Sequence, residues 1–153
     1  MLLDNITSAS INGSNVKELW FGGNQIWSGD GWTLLTEKTT QTLTSQNTTT
    51  KYINIQIPTG YKYYKIEMTS YNSSGTFGVY PNSSSSTYIT RHSTGTHSYT
   101  IEIDNSTSPY TVVLTSDTLE NTTRTYTSKL TSLYCSVYYT ATARVTYTIY
   151  GHN

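Results

Sequence analysis

The last third of the chain carries the pattern that most constrains the fold. From Leu133 to Ile149 the odd positions are mainly apolar, and the even positions are mainly Thr, Ser and Tyr. This period of two is typical of a β-strand with one face in a core and the other in water. No Gly, Pro, Asn or Asp falls between Thr122 and Tyr150, so no strong turn signal interrupts the pattern. A single strand of this length would span about 55 Å, so we expect one long bent strand or two strands joined by a tight turn near Thr140–Thr142.

The same alternation recurs in four shorter segments upstream, at residues 52–57, 63–71, 99–103 and 110–115. Clusters of Gly, Pro, Asn, Asp and Ser separate these segments, and turns at this spacing favour a sandwich or barrel over a βαβ fold. Between residues 119 and 133 some apolar positions fit a helix face, but the intervening Thr and Asn are poor helix formers, so a strand and a loop are expected there. The sequence therefore predicts an all-β fold with an antiparallel β-sandwich, of jelly-roll type, over residues 31–153.

The first 30 residues differ from the rest. They predict three short strands, Ile6–Ile11, Val16–Phe21 and Gln25–Trp27, separated by Asn-Gly and Gly-Gly turns that suit hairpins. Three such strands are too small to be stable alone, so they must pack on the rest of the chain, on a second copy or on a partner. We therefore expect a β-hairpin anchor and oligomerisation module over residues 1–30, separate from the sandwich. Its expected anchor residues are Trp20, Phe21, Ile26 and Trp27.

Composition excludes several classes of partner. Charged residues make up 12% of the chain, about half the usual share, and nine basic residues are matched by nine acidic ones. Nucleic acid binding needs clustered Lys and Arg, so no nucleic acid partner is expected. No apolar run approaches the roughly 20 residues of a spanning helix, and Met1–Asp4 does not begin a secretory signal. We accordingly expect no membrane insertion and no export.

The residues that could support catalysis or metal binding are few. The single cysteine, Cys135, has the inward phase of its strand and is expected to be a small buried apolar residue. The three histidines do not form a zinc ligand set, so neither a metal nor another cofactor is expected. No serine lies in a Gly-x-Ser-x-Gly motif. Glu102 and Asp104 are more simply two carboxylates on a solvated strand face than a glycoside-hydrolysing pair, and the chain is predicted not to be an enzyme.

Tyrosine is in excess, with 15 residues in the chain. Tyrosine supplies a large amphipathic contact area at low entropic cost, and aromatic rings with polar edges suit sugar recognition. Tyrosine also has a high β-propensity and fills half-exposed strand positions without any binding role. The outward tyrosines are therefore expected to contact a protein or a glycan, to form a subunit interface, or only to pack. The candidate binding surface comprises Tyr63, Tyr71, Tyr134 and Tyr138.

Residues 11–27 carry a family resemblance. A strand ending in the aromatic pair Trp20-Phe21, two glycines and then Ile26-Trp27 resembles a small module of structural proteins in tailed phages of Gram-positive bacteria. Such modules occur in tail, baseplate and head-decorating proteins. The resemblance covers about the first 30 residues and implies a virion protein, made in the host cytoplasm without a signal peptide. By analogy it implies capsid or tail partners and a homo-oligomer, with a trimer favoured.

Two functions are expected from these observations together. The first is a virion accessory protein, a head fibre, decoration or tail component, which displays the sandwich for host adsorption. The alternative is a carbohydrate-binding module that recognises cell-surface polysaccharide through exposed tyrosines. A capsid-cementing protein is a third and weaker interpretation.

Overall fold

The computed structural model describes residues 9–11, 14–16, 18–21, 24–28, 31–45, 51–82, 85, 87–137 and 141–153, with the backbone alone described over 9–28 and at 45 and 51. The described residues contain fourteen β-strands and no helix. The strands are β1 Ala9–Ile11, β2 Ser14–Val16, β3 Glu18–Phe21, β4 Asn24–Ser28, β5 Thr33–Ser45, β6 Lys51–Gln56, β7 Tyr63–Asn72, β8 Phe77–Tyr80, β9 Thr90–His92, β10 Gly95–Asp104, β11 Tyr110–Ser116, β12 Thr122–Tyr126, β13 Ser132–Val137 and β14 Ala141–His152. The predicted all-β class is confirmed.

Two antiparallel sheets make up the sandwich. The larger sheet has six strands in the order β12-β11-β10-β7-β14-β5, and the smaller has four in the order β6-β13-β8-β9. The alternating apolar residues of both sheets are buried against one another, so the core lies between them. The antiparallel β-sandwich is thus confirmed, while its description as a jelly roll stays a prediction.

One row of residues shows how the pattern builds the core. Ile66 on β7 pairs with Ile149 on β14 and with Ile101 on β10, and Ile101 pairs in turn with Leu114 on β11. All four side chains are fully buried. Burying a Leu or Ile side chain contributes about 1.5–3 kcal/mol, so this row is a main stabilising element of the larger sheet.

The C-terminal alternation consists of two strands in different sheets. β13 belongs to the four-stranded sheet and β14 to the six-stranded sheet, so the two strands do not pair as a hairpin. Of the two expected arrangements, one bent strand or two strands, the structure has two strands, and these are not neighbours in one sheet. Both sheets face the same core, so odd positions such as Cys135 and Val145 are buried in both strands. In the region 119–133, β12 and loops take the place of a helix, as predicted.

The described residues of the N-terminal region form four short strands, where the sequence predicts three. β1 pairs with β2, and β3 pairs with β4, each as a two-stranded antiparallel sheet. The predicted strand Val16–Phe21 is divided because its two ends pair with different partners, Val16 with Ala9 and Phe21 with Asn24. The division of the chain into a module over residues 1–30 and a sandwich over 31–153 stays a prediction.

Candidate functional site

The outward face of the six-stranded sheet gathers polar and aromatic side chains at one end. Four adjacent strands, β14, β7, β10 and β11, contribute to this end. Their antiparallel register aligns positions that are far apart in the sequence. The two outward rows nearest this end are His152–Tyr63–Asp104–Thr111 and Tyr150–Lys65–Glu102–Val113. Side chains on one strand face point the same way at every second residue, so the two rows form one continuous surface.

Three aromatic rings form an arc on this surface. The ring centroid of His152 lies 5.6 Å from that of Trp32 and 5.9 Å from that of Tyr63. His152 Nδ1 donates a hydrogen bond of 2.9 Å to the carbonyl oxygen of Gly31, which fixes the imidazole beside Trp32. Gly31 has a φ of 86°, and a Cβ there would lie 2.9 Å from His152 Cε1, so only glycine fits this contact. The Gly31 backbone and the His152 ring thus hold the three aromatic side chains in place.

Charged groups lie beside the arc. The Nζ atom of Lys65 lies 5.3 Å from the centroid of the Trp32 ring and 4.8 Å from that of Tyr150, so it bridges two aromatic rings by cation–π contact. Asp104 Oδ1 accepts hydrogen bonds from the backbone N–H of Ser106, at 2.8 Å, and from the Ser106 hydroxyl. The Asp104 carboxylate is therefore held in one orientation by the turn that follows β10.

The three rings of the arc and the carboxylates of Glu102 and Asp104 line a groove of about 580 Å³, which we call the aromatic groove. Its lining includes Trp32, Tyr63, Glu102, Asp104, Val113 and His152. Ring faces contact apolar C–H surfaces, and carboxylate oxygens accept hydrogen bonds from hydroxyl groups. A concave surface with aromatic walls and a small number of placed polar groups is the usual form of a small-molecule binding site. The aromatic groove can therefore hold a hydroxyl-rich ligand with an apolar face.

Three of the tyrosines predicted as a binding surface are described, and they do not come together. Tyr63 lines the aromatic groove, whereas Tyr71 lies eight residues further along β7, about 27 Å away for an extended strand. The Arg144 guanidinium lies 5.7 Å from the centroid of the Tyr71 ring. Tyr134 belongs to the other sheet and contacts Tyr52 edge-on at 6.3 Å. Tyr138 lies outside the described residues.

The predicted anchor is described only in its backbone. Trp20 and Phe21 are in β3, and Ile26 and Trp27 are in β4, the strand that pairs with it. This pairing places the four residues in one two-stranded sheet. Their role as an anchor stays a prediction.

Sequence reasoning missed Trp32 and His152 and assigned Glu102 and Asp104 to a solvated face. A sequence signal did exist for the carboxylates, since both share the outward phase of β10. Their proximity to the aromatic arc depends on strand register, which alternation alone does not specify. No sequence pattern marks His152 as a neighbour of Gly31, because that contact joins residues 121 positions apart.

A second polar cluster lies in the core. Ser70 Oγ is 2.7 Å from His92 Nε2, a distance seen between nucleophile and base in hydrolases, and Tyr99 donates to the same Ser70 oxygen at 3.1 Å. Ser70 is fully buried and Tyr99 is 4% exposed, so no substrate reaches this serine. The cluster is therefore a structural element of the core.

Other chemistry is equally limited in the part of the chain that the structure describes. Cys135 is fully buried, and burial raises the pKa of its thiol to about 12, as expected for an inert buried cysteine. No group of three or more His, Cys, Asp or Glu is placed to hold a metal ion among the described residues. Within the same residues, no helix has the length and hydropathy needed to cross a membrane.

Comparison with known proteins yields no match of this chain to a family model, a curated protein or a solved structure.

Proposed function

We propose that the chain is a non-catalytic binding protein whose β-sandwich holds a polysaccharide in the aromatic groove. The arc formed by Trp32, His152 and Tyr63 beside two carboxylates is the observation that carries this proposal. The rings offer stacking surfaces for the C–H faces of pyranose rings, and the carboxylates of Glu102 and Asp104 accept hydrogen bonds from sugar hydroxyls. The site uses shape and hydrogen bonding more than charge, in agreement with a formal net charge of +0.

The surface beside the aromatic groove supports a polymeric ligand. The next outward rows, Thr148–Glu67–Thr100–Thr115 and Thr146–Thr69–Ser98, are rich in hydroxyl groups. They line a second hollow of about 480 Å³ on the same face. Successive rows on one face are about 6.8 Å apart along a strand. A chain of sugar residues can therefore extend from the aromatic groove along the sheet.

We also propose that this binding serves adsorption of a phage particle to its host, with residues 1–30 as the anchor to capsid or tail proteins. The resemblance of residues 11–27 to phage structural modules and the pairing of β3 with β4 support this context. A homo-oligomer, with a trimer favoured, would present several grooves at once. Linked sites raise overall avidity by a factor of about 10²–10⁴ without any new contact.

The groove is tested with the full chain on an array of bacterial surface polysaccharides. Wild type is expected to bind a defined set of glycans, and Trp32→Ala is expected to lose that binding. Tyr134→Ala removes an aromatic ring from the opposite sheet and serves as the matched control, with binding unchanged. Binding that survives Trp32→Ala and Tyr63→Ala together would contradict the proposed site. Release of new reducing ends from the bound glycan would contradict the non-catalytic role.

The anchor is tested in phage particles assembled with variant chains. The double substitution Trp20→Ala and Trp27→Ala is expected to abolish incorporation of the protein into purified particles. Tyr52→Ala, an exposed aromatic residue of the sandwich, is the control and should be incorporated normally. Normal incorporation of the double variant would show that the anchor lies elsewhere.

A further inference from the structure

The edges of the two sheets meet at a cluster of two arginines and two tyrosines. Arg91 belongs to β9, the last strand of the four-stranded sheet, and Arg124 belongs to β12, the last strand of the six-stranded sheet. Thr122 Oγ1 donates a hydrogen bond of 3.3 Å to the carbonyl oxygen of Ile89, which joins these two edges. Tyr88 lies three residues before Arg91, just ahead of β9. The fold thus brings together two guanidinium groups from strands of different sheets.

Both guanidinium groups contact the same aromatic ring. The Cζ atoms of Arg91 and Arg124 lie 4.5 and 5.4 Å from the centroid of the Tyr88 ring, so they are at most about 10 Å apart. Arg91 also donates through Nε and Nη2 to the hydroxyl of Tyr80, at 3.3 and 3.1 Å. These contacts orient the two side chains. A ring and a neutral hydroxyl do not neutralise two positive charges.

In the described part of the chain, this cluster holds buried polar atoms without a hydrogen-bond partner. Arg124 Nε is buried without a hydrogen-bond partner, and so is the hydroxyl of Tyr126. Arg124 pairs in register with the buried Val112, so its side chain has the inward phase of β12. Glu102 pairs with Val113 and has the outward phase, which places its carboxylate on the other side of the sheet. The two arginines are therefore pre-oriented cations without a carboxylate of the groove within reach.

We propose that Arg91, Arg124 and Tyr88 form a binding site for an oxyanion, the phosphate or carboxylate group of an external ligand. Guanidinium groups present planar N–H forks that match both groups in a bidentate manner. Two arginines held by one ring lose little side-chain entropy on binding, so the site is preorganised. Arg91 is exposed and gives the anion access from solvent.

This site is independent of the aromatic groove. The groove uses the outward face of β10 and β11, whereas Arg124 has the inward phase of β12 at the sheet edge. A ligand with acidic groups could engage both sites, but neither site requires the other. Loss of neutral-glycan binding therefore tests the proposed function, and loss of anion binding tests this inference.

The test is a titration of the full chain with inorganic phosphate at constant ionic strength, monitored by NMR of the arginine side-chain N–H groups. Wild type is expected to show saturable shifts at Arg91 and Arg124. Arg91→Gln and Arg124→Gln are each expected to weaken phosphate binding at least about tenfold, since each removes one charge-assisted fork. Arg144→Gln is the matched control, because it removes a single guanidinium that lies over a tyrosine ring elsewhere. It is expected to leave phosphate binding unchanged.

Two further measurements separate loss of the site from loss of folding and identify the oxyanion. Arg124→Lys retains the charge and loses the planar fork. This variant is expected to fold normally, yet to bind phosphate more weakly than wild type. Polysaccharides of equal charge density, one phosphorylated and one carboxylated, are compared with neutral dextran to identify the source of the oxyanion. Non-saturable shifts in wild type, or equal phosphate affinity of wild type and the double Arg→Gln variant, would overturn the proposal.

Discussion

His92 of the four-stranded sheet and Ser70 of the six-stranded sheet are joined through the core by a hydrogen bond of 2.7 Å between Nε2 and Oγ. His92 Nδ1 lies 2.7 Å from the carbonyl oxygen of Ser93, so this nitrogen carries the proton. In the neutral imidazole Nε2 is then the acceptor, and Ser70 donates to it. Tyr99 donates to Ser70 at 3.1 Å. The hydrogen-bonding groups of Tyr99, Ser70 and His92 all have partners only while His92 is neutral.

Stability is therefore expected to fall in mild acid. Burial lowers the pKa of His92 below its ordinary value of 6.5, the Ser93 carbonyl opposes this shift, and His97, whose ring lies 4.4 Å away, adds to it. The pKa of His92 is lower in the folded than in the unfolded protein. The stability that comes from keeping His92 neutral is therefore complete above pH 6.5 and is lost as the pH falls from 6.5 through the folded pKa. Urea unfolding from about pH 7.5 to about pH 5 measures the loss. The His92→Gln variant should lose less unfolding free energy over this pH range than wild type. Parallel pH profiles of the two proteins would exclude His92 as the cause.

The thiol of Cys135 is expected to react only after unfolding. It is fully buried, and a pKa of about 12 leaves about one thiol in ten thousand as thiolate at pH 8. Labelling by a thiol reagent should follow the unfolding transition in denaturant. The variant with Cys135→Ala and Ser136→Cys moves the thiol to the outward phase of the same strand and should be labelled rapidly in buffer. Rapid stoichiometric labelling of the native wild type would contradict the packing of β13.

Asn105 is expected to be important for the turn after β10. Its Nδ2 donates to the carbonyl oxygen of Leu130 at 2.8 Å, and its Oδ1 accepts from the Leu130 N–H at 3.1 Å, with both residues buried. Asn105→Ala leaves both backbone groups unpaired, at a cost of about 2–4 kcal/mol in the free energy of unfolding. Asn121→Ala removes an exposed amide that accepts from Ser116 N–H and should cost about 1 kcal/mol or less. Equal effects on the denaturation midpoint would show that the buried pair has no special role.

Within the aromatic groove, the Tyr63 ring is expected to matter more than its hydroxyl. Tyr63→Ala should weaken binding of an oligosaccharide from the preferred glycan about 3- to 10-fold, since an aromatic contact contributes about 0.5–1.5 kcal/mol. Tyr63→Phe should retain most of the affinity, as measured by calorimetry. Tyr71→Ala, at the far end of the same strand, is the control for loss of a ring. A greater loss for Tyr63→Phe than for Tyr71→Ala would indicate that the hydroxyl carries the contact.

Alternation predicted much of the core correctly. Ile53, Ile55 and Ile57 are buried as expected, and so are Cys135 and the other odd positions of the C-terminal segment that the structure describes. The pattern succeeds because it shows which side of a strand faces apolar surroundings. The polarity of each side chain determines that side. The same reason explains why the pattern did not separate β2 from β3, since alternation does not report where the chain exchanges one pairing partner for another.

The candidate site depended on information that no local pattern contains. His152, Tyr63 and Asp104 share one row because β14 and β10 pair with β7 in a particular register. Arg91 and Arg124 converge on Tyr88 because the last strands of two sheets lie at the same edge of the sandwich. The sequence by itself determined the all-β class, the buried positions and the polar character of the outward face, since these follow from side-chain chemistry at a period of two. Only the tertiary structure decided which outward residues are neighbours, because strand order and register are set by the packing of the whole core.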